Sequence, residues 1–343
     1  MPELPKGRKP RHERAKMAIS LRYAACASIA LACLPLQASA KFVTFQVPGA
    51  TATVPGTITN KGVVIGFFTD PTGQHGFMRA PDGTFTTIDV PGGTGTIPVT
   101  LKRDGTIAGN YADGDGRVRG FIRSPTGQFA DVVSRHGTDF TALSSLSRVG
   151  WVSGTGKKGA RGNAFGFLRS PNGHYIEFGE QLTVVCANAG HTTAGSLYAN
   201  GSMHGFVRTP DGTITQFDPA GSVYTTVSAI DAVGTTIGYF KLSSGIGAGF
   251  VRAADGTLST FAVSGKGVQG TGPLSINKNG AIAGYYQMRG NRQGGFVRTP
   301  DGTITTIDVP HGSDTEINSI NDKGHIAGEF KSNGIVTGFI WKP

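Results

Sequence analysis

Along residues 41–343 the apolar positions come in short runs rich in Thr, Ile, Val, Phe and Tyr, separated by clusters of Gly, Pro, Asn and Asp. No stretch repeats apolar residues at the three-and-four spacing of an amphipathic helix, so the pattern predicts strands and tight turns. The runs also repeat. A Gly-Phe pair recurs at Gly76, Gly120, Gly166, Gly205, Gly249, Gly295 and Gly338, at intervals between 39 and 46 residues. Upstream of each pair lies a second signature, clearest as "SINKNGAIAGYY" at 275–286 and "SINDKGHIAGEF" at 319–330. A third segment of the "TITTIDV" type follows each pair except the last, and its first copy is "FVTFQVP" at 42–48.

Each repeat therefore supplies four short strands: one entering an Asn-x-x-Gly turn, one of the "IAGYY" type, one of the "GFVR" type, and "TITTID" after a Pro-Asp-Gly turn. Four strands in a period of 40–45 residues is the pattern of a propeller blade, and 41–343 divides into seven such periods of about 43 residues each. The first copy of the fourth-strand segment has no blade before it, and "GFIWKP" at 338–343 has no fourth strand after it. The expected fold is an all-β, seven-bladed β-propeller spanning 41–343 as a single domain. The N-terminal strand 42–48 would pair with 338–343, removing two sheet edges.

Composition agrees with many turns and a large core: 53 of 343 residues are Gly, 38% are hydrophobic and 16% charged. The first 40 residues are of another kind. A basic segment, "KGRKPRHERAK", precedes an apolar run from Tyr23 to Leu36, and Ala38 and Ala40 suit cleavage before Lys41. That is the layout of a secretory signal peptide, and 14 apolar residues make a poor bilayer span. Met17 is an alternative start, and Cys33 a lipidation site only with Ala30 where Leu is wanted. The expected location is secreted, extracellular or periplasmic, with no transmembrane segment after cleavage.

Cleavage alters the charge. Seven of 32 Lys/Arg and two of 22 Asp/Glu lie in 1–40, so the remaining 25 basic and 20 acidic residues leave +5 of the formal +10. A surplus of that size gives no reason to expect a nucleic-acid partner. Cys26 and Cys33 also depart, leaving Cys186 without a disulfide partner. Its apolar context, "LTVVCA", suits a small buried hydrophobe rather than an activated thiol. The mature chain is read as a monomer.

The segments "HGFMR" (75–79) and "HGFVR" (204–208), the latter following "TTAGSL", resemble the bacterial HAF extracellular repeat. The resemblance runs over nearly all of 41–343. Gly replaces the family's middle Ala throughout, and the His is present in two of seven units; Arg119, Phe165, Ala248, Gly294 and Thr337 stand there otherwise. The resemblance implies secretion and a propeller-like fold and carries no assigned catalytic residues. The period is also similar to that of WD40 and kelch propellers, without their Trp-Asp or paired-Gly signatures.

Residues that recur across the units are read as structural. Asp82, Asp211, Asp255 and Asp301 belong to Asp-Gly hairpin turns. Arg79, Arg123, Arg169, Arg208, Arg252 and Arg298 recur too regularly to mark one site, and are expected to pack and pair with backbone or with Asp89, Asp218 and Asp308. Specific function should sit where the units differ, chiefly in the loops between second and third strands. Those loops carry Arg117, Arg119, Lys157, Lys158, Arg161, Arg289, Arg292 and Lys331, a basic collar suited to an anionic glycan or cell-envelope component. No metal site is expected: "DGDG" reads first as a flexible turn, and Asp113 and Asp115 are metal-ligand candidates only in second place, because a full calcium loop is absent. His136 and His311, near Asp139 and Asp314 in fourth-to-first loops, are the candidate general bases. No P-loop or Gly-x-Ser-x-Gly elbow occurs, and nothing specifies a cofactor. The expected function is a binding or scaffold module; the alternative is a polysaccharide lyase or hydrolase acting on an acidic polysaccharide at the same face.

Overall fold

The computed structural model describes residues 41–343 other than 135–139, 158, 160 and 161; the expected signal peptide lies outside the described residues. Every regular element described is a strand. The strands form consecutive antiparallel four-strand sets over 52–88, 94–132, 140–178, 182–217, 222–261 and 268–307. A seventh set takes three strands, Ser313–Ile320, Ile326–Ser332 and Ile335–Lys342, and borrows its fourth from the N-terminus. That strand, Lys41–Phe45, pairs antiparallel with Ile335–Lys342 from Lys41↔Lys342 to Phe45↔Gly338. The strand is shorter than the expected 42–48. Pro48 lacks an N–H for a ladder, and a turn closed by Ala50 N donating to Val47 O leads the chain away. Single parallel bridges, Ala52↔Val336 and Val118↔Phe140, join neighbouring sets.

The Gly-Phe pair explains how the sets stack. Phe77, Phe121, Phe167, Phe206, Phe250, Phe296 and Phe339 are all fully buried. The preceding glycines leave room for neighbours to close on the backbone. A Cβ at Gly120 would lie 2.5 Å from Leu143 Cγ of the next set, and one at Gly338 would lie 2.7 Å from Phe45. Across each first–second strand pair the register slips at the same place, as between Pro55 and Thr57 or between Ile317 and Ser319. Bulges sharpen the local twist, and the repeated register slip turns each inner strand alike.

The joints between sets also repeat. A buried threonine hydroxyl on a first strand accepts the N–H of a residue just past the preceding fourth strand: Val90 to Thr96, Val263 to Thr271, Val309 to Thr315. Val47 donates to Thr53 in the same way, so the N-terminal strand stands to the first set as these fourth strands stand to their successors. Arginines cross the same seams. Arg208 lies over Phe178, Arg252 over Phe217, Arg298 over Phe261 and Arg79 over Phe45, at 4.7–5.1 Å. Arg123 and Arg169 instead cover Phe129 and Tyr175 of their own sets. Of the two expected pairings, with backbone or with Asp89, Asp218 and Asp308, four of these arginines make the backbone one. They stack on rings, and Arg79, Arg208, Arg252 and Arg298 donate Nη1 to the next residue's carbonyl.

Candidate functional site

Antiparallel order sends the second-to-third hairpins and the fourth-to-first connections out at one end of every set. The first-to-second and third-to-fourth turns leave at the other. The described collar residues, Arg117, Arg119, Lys157, Arg289, Arg292 and Lys331, lie at the hairpin end.

In the second set, Asp113 Oδ1 accepts the N–H groups of Asp115 (3.0 Å) and Arg117 (2.9 Å), and Asp113 Oδ2 accepts Arg119 Nε at 2.8 Å. The Arg117 backbone N–H, first among its donors, holds the Asp113 carboxyl below its usual range. Arg117 Nη1 donates to Asp115 Oδ2 at 2.9 Å. Both carboxylates of the candidate metal ligands Asp113 and Asp115 thus accept N–H donors within a hairpin turn. Among the described residues no cluster of three His, Cys, Asp or Glu is placed to hold a metal ion.

The sixth and seventh sets bring a second group together. Asp314, with φ of 52°, accepts Gln293 N at 3.3 Å through Oδ1 and pairs with Lys331 Nζ at 3.2 Å through Oδ2. Arg292 opens the third strand of the sixth set, where its charge opposes the burial that raises the Asp308 carboxyl. Arg289 precedes it and donates its backbone N–H to Gly267 O. Lys157 ends a second strand in the third set, far along the chain from that group. Lys158, Arg161 and His136 lie outside the described residues. Arg117, Arg119 and Lys331 are therefore already paired with carboxylates, while Lys157 and Arg289 make no ion pair among the described residues.

The carboxylate expected to partner the other candidate base, His311, is engaged elsewhere. Asp314, its expected carboxylate partner, is held by Lys331 and Gln293, and His311 sits in a left-handed turn with φ of 61°. The histidines that do pair with carboxylates went unassigned in the sequence. His75 Nδ1 lies 2.9 Å from Asp89 Oδ2 and its Nε2 2.9 Å from Thr72 Oγ1, with the ring stacked on Phe68. His204 Nδ1 lies 2.7 Å from Asp218 Oδ2 and its Nε2 3.1 Å from Ala199 O, and the Asp218 bond raises the His204 imidazole above its ordinary value. A signal was present: only the first and fourth units have His before Gly-Phe, and both place Asp fourteen residues later. With both ring nitrogens engaged, these histidines tie the third strand to the hairpin and to the fourth-strand end.

Two clefts lie at the opposite end, and none of the collar residues lines either. One, of about 220 Å³, lies between the seventh and first sets; the other, of about 240 Å³, lies between the fifth and sixth. The described residues include no helix long and apolar enough to cross a membrane.

No protein-family profile and no curated protein matches this chain. Solved structures do resemble it. A streptogramin B lyase aligns over 88% of this chain and 98% of its own, with 13% identity and a TM-score of 0.59. Virginiamycin B lyase from Staphylococcus aureus aligns over 88% and 99%, with 14% identity and a TM-score of 0.53. An acylaminoacyl peptidase from Pyrococcus horikoshii covers 86% of this chain with 52% of its own, at 9% identity and a TM-score of 0.59. Likeness at such identities concerns the fold, and the fold it points to is propeller-like and all-β.

Proposed function

We propose that this chain is a secreted, closed seven-bladed β-propeller of the HAF-repeat type. It works as a binding and scaffold module for an anionic glycan or envelope component. Seven blades are supported by the seven four-strand sets and by the joint between the last and first, made with the same Thr53 and Arg79 contacts as the others.

The observation that carries the binding reading is where the repeats differ. Basic side chains depart from the common pattern on hairpins of the second, third, sixth and seventh sets, all at one end. An enzyme reading is less favoured, because His75 and His204 have both ring nitrogens engaged and Asp314 is paired with Lys331. The test is a glycan array probed at low and high salt with the mature protein and an Arg289→Ala/Arg292→Ala variant. Binding to uronate or phosphorylated glycans should weaken with salt and with the double substitution. Absent or salt-insensitive binding rejects the reading.

A further inference from the structure

We infer that the cleft between the seventh and first sets binds a phosphomonoester group. This is a second site, at the end opposite the collar. Its opening is set by Lys61, Lys323, His325, Lys342 and Asn60, with Arg79 below, and Val43, Ile58 and Ile340 supply an apolar floor. No Asp or Glu lines it. The three lysines make no ion pair among the described residues, and Lys41 adds a fourth ammonium directly opposite Lys342 in the strand register. Like charges in opposing strand positions destabilise a pair unless something between them compensates.

The turns that carry these groups are fixed against each other. Asn321 Oδ1 accepts the N–H groups of Lys323 (2.9 Å) and His325 (3.0 Å), while its Nδ2 donates to Thr59 O of the first set at 2.9 Å. Asp322 N donates to Asn60 Oδ1, and Asn60 Nδ2 returns a bond to Asp322 Oδ2 at 2.7 Å. The Asp322 carboxylate also takes Lys278 N and Nζ, so its charge is shared with the sixth set. Burial, and then the charges of Lys342 and Lys323, pull the His325 imidazole below its ordinary value.

The second cleft serves as an internal comparison. It has the same construction, with Ile276, Gly280, Arg298 and Pro300 standing where the first has Ile58, Gly62, Arg79 and Pro81. The positions matching Lys323, His325, Lys342 and Lys61 hold Val233, Thr235, Ala253 and Asn279. The repeat therefore builds the shape, and of these two clefts the one between the seventh and first sets is the one loaded with positive charge. The partner-free Nε of Arg79 recurs at Arg208, Arg252 and Arg298, and so belongs to the seam rather than to the site.

Several ammonium groups around one opening suit a dianion with three terminal oxygens better than a single carboxylate. The apolar floor suits the carbon side of an ester. The phosphate could belong to a soluble metabolite-sized ester or to a lipid headgroup.

Titration calorimetry of the mature protein with sn-glycerol 3-phosphate at low salt tests the site, beside co-sedimentation with phosphatidylcholine vesicles with and without phosphatidic acid. Saturable one-to-one binding of either probe should fall at least about tenfold in Lys323→Gln/Lys342→Gln. It should stay unchanged in Lys266→Gln, which removes a charge far from the cleft, and in Arg289→Ala/Arg292→Ala, which tests the collar alone. Circular dichroism melts establish that each variant is folded, and Lys323→Gln alone serves if the pair unfolds. Binding to vesicles but not to the soluble ester supports the site with a lipid source. Binding of neither probe overturns it, as does an equal loss in Lys266→Gln.

Discussion

The guanidinium carbon of Arg79 lies 4.8 Å from the ring centroid of Phe45, although one belongs to the first four-strand set and the other to the N-terminal strand that completes the seventh. The same contact joins Arg208 to Phe178, Arg252 to Phe217 and Arg298 to Phe261. Phe45 is buried and also packs edge-on to Phe77 at 6.4 Å. Phe45→Ala should therefore destabilise the protein by about 3–5 kcal/mol, the range for a core phenylalanine that leaves a cavity. Up to about 2 kcal/mol of any shortfall at this seam belongs to the cation–π contact. Denaturant unfolding measures it. A loss below about 1 kcal/mol would mean the N-terminal strand is not part of the core.

Asn321 makes three side-chain hydrogen bonds, two inside its own turn and one to Thr59 O across the seam. Asn277 repeats the arrangement, donating to Asn321 O at 2.9 Å while accepting Asn279 N and Ala281 N. Asn321→Ala should destabilise by about 2–3 kcal/mol, since it leaves buried backbone groups without partners. Asn321→Asp keeps the two accepted bonds, loses the donated one, and should lie between. Thermal denaturation of both variants distinguishes an inter-set bond from a purely local turn, for which Asp would match Asn.

Much of this architecture was legible because it is periodic. The Gly-Phe pair marks the third strand of each set, and the unmatched fourth-strand segment at 42–48 announces its partner at 338–343. What lies between units was harder to read, because the contacts join residues about one period apart with no common local spacing. The sequence leaves the recurring arginines a choice of backbone or Asp89 and Asp218, and does not show that Arg208 and Arg252 stack on fourth-strand aromatics of the preceding set. His75 and His204 take those aspartates instead. The pairing of Arg117, Arg119 and Lys331 with carboxylates depends on hairpin geometry that composition does not specify. The lysine-lined cleft was missed because its residues come from both ends of the chain.

Cys186 occupies a seam position held by Ser145, Ser275 and Ser319 in other sets, where Ser145 Oγ accepts Ala187 N and Ser319 Oγ accepts Ile58 N. Burial pushes its thiol up to about 12, against a smaller lowering from the Ile230 backbone N–H. The native protein should resist alkylation by iodoacetamide at pH 8 and react on unfolding, because the thiolate is the nucleophile. Cys186→Ser should fold with a stability change within about 1 kcal/mol, as the hydroxyl offers Ile230 the acceptor found in other sets. Rapid native labelling would place the thiol in contact with solvent and reject this assignment.

Glu316 and Glu329 stand directly opposite each other in the register of the seventh set, both raised by burial. Burial and then the Glu316 charge push Glu329 to about 7, partly offset by the bond donated by Asn318 Nδ2. A carboxyl whose folded value exceeds its unfolded one keeps its proton longer in the native state. Between about pH 4.5 and 7 the folded protein therefore binds more protons than the unfolded chain, and this pair's contribution to stability falls as pH rises. The carboxylates held low, Asp104 at about 2 among them, work the other way and matter only in more acid solution. Glu329→Gln retains an acceptor for Asn318 and removes the charge. It should stabilise the protein at pH 7.5 by about 1–3 kcal/mol and leave pH 5 almost unchanged. Denaturant midpoints at the two pH values measure the difference. An equal change at both would show that Glu329 ionises without strain, and that like charges in this register are relieved by solvent.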